Sequence, residues 1–189
     1  ILPSLFSANY ELRYIASEDV IFTNPQKDGD NEILRDCNYC HIDAAYGGAD
    51  GTAFTICKKV KDTYYVYGKL WNKHVDDCLD EIISIRKSFN AGKIFCELNA
   101  DKGYLAKELR KRGELVSTYQ EKMNKFLKIT TYLKGAWSDI VFVKGTDENY
   151  IKQILDFTDK AEHDDAPDSL ACLVRLQWNR IDDYKSVFG

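Results

Sequence analysis

The chain has 189 residues, 44% hydrophobic and 30% charged, a balance that suits one globular domain with or without an appendage. Three prolines and eleven glycines exclude collagenous, mucin-like and linker-rich architectures, and no apolar run approaches the ~20 residues that span a bilayer. The net charge of −4 conceals an asymmetry: Lys102 to Lys134 holds nine basic residues against three acidic, and Asp139 to Asp183 holds eleven acidic against five basic.

Residues 1–35 lack sustained periodicity and are expected to form a lead-in arm, with a short helix over Leu5 to Ile15 and a short strand over Asp19 to Thr23. The opening Ile1 to Phe6 has neither the basic region nor the long apolar stretch of a signal peptide. From Cys37 to Ala45 the chain alternates, with Tyr39, His41 and Asp43 on one face and Cys40, Ile42 and Ala44 on the other. Gly47-Gly48 and Asp50-Gly51 mark a tight turn. Thr52 to Val60 and Thr63 to Leu70 are rich in β-branched and aromatic residues around Lys61-Asp62, which predicts a hairpin.

The period then changes. Val75, Cys78, Leu79, Ile82, Ile83 and Phe89 recur at helical spacing and predict a helix over 74–89, ended by Gly92. A strand over Lys93 to Leu98, a helix over Tyr104 to Arg112, a strand over Leu115 to Tyr119 and a helix over Lys122 to Leu133 follow. A strand over Ile140 to Val143, a helix over Asn149 to Thr158 and a last helix from about Asp164 to Trp178 complete the chain. Three antiparallel strands followed by alternating helix and strand imply one mixed sheet with helices on both faces, an α/β topology similar to the ribonuclease-H-like fold.

Six cysteines without a secretion signal read as reduced thiols. Cys37-Asn38-Tyr39-Cys40-His41 fits the C-x-x-C-H pattern of covalent haem attachment. Zinc needs a second pair of ligands that no other cysteines supply, and haem attachment needs an export route. Small thiols buried in a strand are the simpler account.

Three acidic positions are informative. Asp43 ends the first strand of the triplet, where a buried carboxylate needs a partner or a cation. Glu97 sits near the end of the strand after the long helix, and Asp164, Asp165 and Asp168 crowd the start of the last helix behind His163. Helix capping explains one carboxylate at that position and leaves two with a histidine unexplained. In the expected fold all three elements converge at one end of the sheet, giving an oxygen-rich site suited to Mg²⁺ or Mn²⁺. The adjacent basic stretch suits a polyanionic substrate, although two solvated faces of opposite sign account for the charge alone.

The stretches from His41 to Asp50 (HIDAAYGGAD), Glu97-Leu98-Asn99 with Gly103, and His163 to Ala171 (HDDAPDSLA) resemble the nuclease domain of the large terminase subunit of tailed bacteriophages. Leu2 to Leu12 resembles the segment joining that family's ATPase and nuclease domains. The resemblance implies residues 1–35 as an arm from a missing ATPase domain, residues 36–189 as a ribonuclease-H-like nuclease domain, and no ATP hydrolysis, since no G-x-x-x-x-G-K-[ST] loop is present. It also implies a metal-dependent endonuclease that cuts concatemeric double-stranded DNA with two Mg²⁺ or Mn²⁺ ions, in the cytoplasm of the bacterial host at the procapsid portal. The portal and small terminase subunit would be partners, no membrane would be involved, and the isolated domain would be monomeric.

The family's first ligand falls on Asp43, bridging both ions. Its second falls on Glu97, with Asp101 as the alternative, and its third falls on Asp165, with Asp164 and Asp168 in support. His163 would orient a ligand, assist proton transfer, or simply neighbour the helix cap. Lys102, Lys107, Arg110 and Lys134 would lie along the DNA path. A Holliday-junction resolvase, or a docking module of the packaging motor without catalysis, are the rival readings.

Overall fold

The computed structural model describes residues 20–48, 50–98 and 102–188. Its centre is a mixed sheet of seven strands in the order β1-β7-β4-β3-β2-β5-β6. The expected triplet is present as β2 (Tyr39–Asp43), β3 (Thr52–Val60) and β4 (Thr63–Trp71), paired antiparallel in sequence order. On one side β5 (Lys93–Glu97) and β6 (Val116–Tyr119) add in parallel. On the other, β7 (Ile140–Val143) pairs parallel to β4 and carries β1 (Gln26–Gly29) at the edge.

The alternation of β2 assigns the two faces. Cys40 and Ile42 join a core layer with α1 (Leu79–Ser88) and α2 (Tyr104–Lys111), through Leu79, Ile82, Leu105 and Leu109. The opposite layer holds α3 (residues 125–136), α4 (Glu148–Leu155) and α5 (Asp165–Phe188), through Ile129, Leu133, Ile151, Leu170 and Val174. Gly68 on β4 lets α4 close onto the sheet, because a Cβ there would stand 2.3 Å from the Tyr150 ring.

Several elements differ from expectation. The helix over Leu5 to Ile15 and residue Asp19 lie outside the described residues, and Val20 to Thr23 form no strand. The structured sheet begins before residue 36. Phe22 and Leu34 are buried in the two core layers, and β1 follows the expected strand by a few residues. The 74–89 helix opens as a 3₁₀ turn (Val75–Asp77) before α1. The helix expected from Lys122 starts at Lys125 because Asn124 caps it, its side chain accepting from Leu127 N at 3.1 Å. It then widens into a π turn (Ile129–Leu133) and closes over Lys134–Ala136.

All six cysteines are free of disulfides and buried. Cys37 Sγ donates to Cys57 O at 3.1 Å and Cys40 Sγ to Lys93 O at 3.6 Å, while the His41 ring points through the other face of β2. The C-x-x-C-H residues therefore do not converge on one point. No helix among the described residues is long and apolar enough to cross a membrane.

Candidate metal centre

Antiparallel β2 and β3 and parallel β5 bring the end of β2, the start of β3 and the end of β5 to one edge of the sheet, and α5 begins there. Asp43 is the last residue of β2, and Glu97 stands one residue past the Ile42–Cys96 pair on β5. An open cleft of about 500 Å³ occupies this end, lined by Asp43, Asp50, Glu97, Lys125, Asp164 and Asp165 among others. One carboxylate oxygen each from Asp43, Asp164 and Asp165 lies within 4.8 Å of the other two. Chain segments far apart in sequence thus deliver three hard oxygen donors to one point.

The local structure around each acid is specific. The Ala45 loop is pinned by Ala45 N donating to Thr52 Oγ1 at 3.2 Å and by Val75 N donating to Ala45 O at 2.9 Å. Asp165 Oδ2 accepts from Gly51 N at 3.2 Å and from Gln153 Nε2 at 3.1 Å. Gly51 makes this approach possible, since a Cβ there would sit 3.1 Å from Trp71 O and 3.4 Å from Asp165 Oδ2. Gln153 Oε1 accepts from Ala166 N at 2.7 Å, so α4 supplies a capping group to α5. Asp164 turns instead to Lys125, whose Nζ is 3.0 Å from Asp164 Oδ1, 3.7 Å from Asp168 Oδ2 and 4.0 Å from Asp43 Oδ2.

Asp43 Oδ2 is buried and has no hydrogen-bond partner among the described residues. Burial, followed by the nearby Asp168 carboxylate, pushes the Asp43 carboxyl well above the usual range. Burial likewise raises Asp165. A cation is the group that relieves such a cluster, and an all-carboxylate donor set matches Mg²⁺ or Mn²⁺ better than a soft metal.

Asp168 is one turn deeper and only 2% exposed. Its Oδ1 is ion-paired at 2.7 Å with Lys128, which is fully buried. Burial raises the Asp168 carboxyl, and the charges of Lys128 and Lys125 oppose the shift. Lys128 Nζ also reaches Glu121 Oε2 at 2.8 Å and Cys172 Sγ at 3.3 Å, and Arg175 grips Glu121 through both terminal nitrogens at 3.1 and 2.9 Å. Burial works against the Glu121 carboxylate, but Arg175 and Lys128 prevail and hold its pKa at about 2. From Cys172 a polar chain continues through the Tyr119 hydroxyl to His41, Ser169, Thr55 and Tyr150, with separations of 2.6 to 3.0 Å. Burial lowers His41 to about 3, so its ring is a neutral link in that chain.

The expected site residues fall into separate places. Asp43, Asp164 and Asp165 form the tight cluster, Glu97 lines the same cleft, and Asp168 faces the buried lysine. His163 does not reach the cluster: its Nδ1 lies 3.9 Å from Asp50 Oδ1, and it lines a second cleft with Gln153 and Lys152. Asp101 lies outside the described residues, as does Asn99. Lys107 and Arg110 lie on α2 and Lys102 two residues before it. Lys134 does not border the cleft. It follows Lys125 by nine residues, about 13 Å along the helix axis, and its neighbours Gly135 and Ala136 line a pocket at the other end of the sheet with Tyr64 and Asp139. Lys125, Lys128, Glu121, Gln153 and Arg175 carry no motif that marks them in the sequence. Spacing between Lys125, Lys128 and Asn124 on one predicted helix was the only signal available for any of them.

The family model described as the ribonuclease H-like domain of the bacteriophage T7 terminase matches residues 42–139, more than half of the chain. That match takes in Asp43 and Glu97 and stops before the start of α5. No curated protein matches in sequence. Among solved structures, the fold is similar to the large terminase from a thermophilic bacteriophage, with a TM-score of 0.57 and 12% identity over 82% of this chain and 44% of that one. It is also similar to the large terminase nuclease of thermophilic phage G20c with bound magnesium (TM-score 0.56, 11% identity, 83% of this chain, 97% of that one). The same nuclease with bound zinc matches with a TM-score of 0.53 and 13% identity over 75% and 93% of the two chains. This chain therefore spans less than half of the first of these large terminases and nearly all of the G20c nuclease. By its family match, the chain belongs to the terminase ribonuclease H-like domain family.

Proposed function

We propose that this domain is the metal-dependent endonuclease of a phage or prophage DNA-packaging motor, cutting concatemeric double-stranded DNA by two-metal-ion phosphodiester hydrolysis. The observation that carries the reading is the convergence of Asp43, Asp164 and Asp165 within 4.8 Å in the lining of an open cleft. The buried, unpartnered Oδ2 of Asp43 fits a cation there. Asp43, Asp164 and Asp165 would hold one ion, and Glu97, in the same cleft, is the further carboxylate for a second. Ions bound at such a site supply Lewis acidity to a phosphate and lower the pKa of a bound water.

The chain's own residues set up that chemistry. Gly51 and Gln153 fix the Asp165 carboxylate, so its oxygen needs no reorganisation to accept a ligand. Lys128 neutralises Asp168 beneath the cluster and limits the negative charge facing an incoming polyanion. Lys102, two residues before α2, and Lys107 and Arg110 on that helix are the expected DNA contacts. The ATPase domain, portal and small terminase subunit are the partners this reading requires.

Plasmid cleavage tests it. Wild-type protein should nick or linearise plasmid DNA in Mn²⁺ and stop in excess EDTA, and Asp43→Ala should be inactive in both. Cleavage that survives EDTA, or an active Asp43→Ala, would contradict the reading. A docking module without catalysis would show no cleavage by any variant.

A further inference from the structure

We propose that Lys125 is a resident counter-ion of the acidic cluster and that a divalent cation must evict its ammonium to bind. The inference rests on the metal-site reading above. Lys125 Nζ stands 3.0 Å from Asp164 Oδ1 and 4.0 Å from Asp43 Oδ2, so it touches or approaches two of the three acids that form the cluster. It is also 3.7 Å from Asp168 Oδ2, which makes it the one ammonium among the described residues shared by three carboxylates of the site. A divalent ion bound to Asp164 at about 2.1 Å would lie within roughly 5 Å of that ammonium. Two cations cannot share those lone pairs at that distance without strong repulsion.

The side chain is built to leave. Lys125 occupies the first turn of α3 behind the Asn124 cap, at the rim of the open cleft, and its side chain is 46% exposed. Its flexible four-carbon stem can carry the ammonium into solvent without moving the helix. Lys128, one turn on, has no such route: it is fully buried between Glu121, Asp168 and Cys172. The domain thus carries a removable cation at the mouth of the site and a fixed one beneath it. Release of Lys125 would coincide with metal entry and leave a mobile positive charge at the cleft rim, where a phosphate backbone would approach.

Titration calorimetry with Mn²⁺ on metal-free wild type, Lys125→Met, Lys125→Arg and Asp43→Asn tests the inference. Lys125→Met should bind Mn²⁺ about tenfold tighter than wild type, the loss of a competing cation appearing directly in Kd. Lys125→Arg should stay within about threefold of wild type. Lys125→Met affinity equal to or weaker than wild type, with Asp43→Asn no longer binding, would overturn the eviction of Lys125 and leave the metal site standing. Wild-type affinity in Asp43→Asn would overturn the metal site itself. A second measurement uses the unmutated protein: the rate of Lys125 acylation by a succinimidyl ester, read by peptide mass spectrometry, should rise on adding Mn²⁺. An unchanged or lower rate would contradict eviction.

Discussion

Lys125 and Lys128 sit three residues apart on α3, and both face carboxylates at the start of α5. Lys125 stands at the mouth, half exposed among Asp43, Asp164 and Asp168, with a buried Asp43 oxygen left without a hydrogen bond. Lys128 stands on the floor, fully buried, with Glu121, Asp168 and Cys172 around it and Arg175 completing the charge balance. The mouth carries an excess of negative charge, where the proposed cation would bind, whereas the floor holds its own cations in buried ion pairs. The first arrangement suits binding and the second suits folding, and the same helix turn supplies a lysine to each.

The sharpest way to break this contrast is to remove the floor's cation. Lys128→Met would leave Asp168 and Glu121 buried with too little positive charge and should cost about 3–5 kcal/mol in urea unfolding. A loss below about 1 kcal/mol would mean the floor is no more integral than the mouth. Ser169→Ala cuts the polar chain between His41 and Thr55 without touching a charge. It should cost about 1–3 kcal/mol by leaving buried partners unsatisfied, with the Mn²⁺ response retained.

The pH dependence separates the regions by sign. Asp43 and Asp165, and Asp168 beneath them, hold protons more tightly in the folded than in the unfolded chain, whose aspartates titrate near 3.8. Their contribution to stability is fully present below that value and is lost as pH rises through the raised folded values. Glu121, held at about 2 against an ordinary 4.5, contributes stability that is present above 4.5 and lost as pH falls toward 2. In EDTA, Asp43→Asn should therefore gain about 1 kcal/mol over wild type at pH 8 and lose that advantage at pH 4, as read by denaturation at the two values. A gain that is the same at both would remove the repulsion from the account. The smallest effect belongs to Lys134→Ala, away from both regions, which should stay within about 0.5 kcal/mol of wild type with an unchanged Mn²⁺ response.

The fold's centre was legible because its signals are local. Alternation from Tyr39 to Asp43 placed the carboxylate at the end of a strand on the α5 face, and the Lys61-Asp62 turn placed the hairpin. β1 was not legible: four residues, Gln-Lys-Asp-Gly, mostly exposed and paired parallel to a strand more than a hundred residues away, carry no periodic signal. The acids of the site were legible as a cluster near the start of α5, but their division between mouth and floor was not. That division depends on Lys125 and Lys128, which sat in a charged stretch whose simplest account was solvated surface. Glu121 and Arg175 come from a loop and a helix 54 positions apart, and nothing short-range joins them. His163 and Lys134 stand apart from the cluster: His163 Nδ1 is 3.9 Å from Asp50 Oδ1, and the neighbours of Lys134 line a pocket at the other end of the sheet.

On the proposed reading Asp43 and Asp165 belong to one cation site, and Asp165 is more than a helix cap. Thermal melts of wild type, Asp43→Asn and Asp165→Asn, each in EDTA and in Mn²⁺, test it most directly. An ion that binds only the folded state raises the melting temperature by mass action, so wild type should gain several degrees and both variants should lose most of that gain. The Asp43→Asn protein in EDTA should be at least as stable as wild type. An equal Mn²⁺ shift in all three proteins would contradict the account, because the metal would then be binding somewhere else.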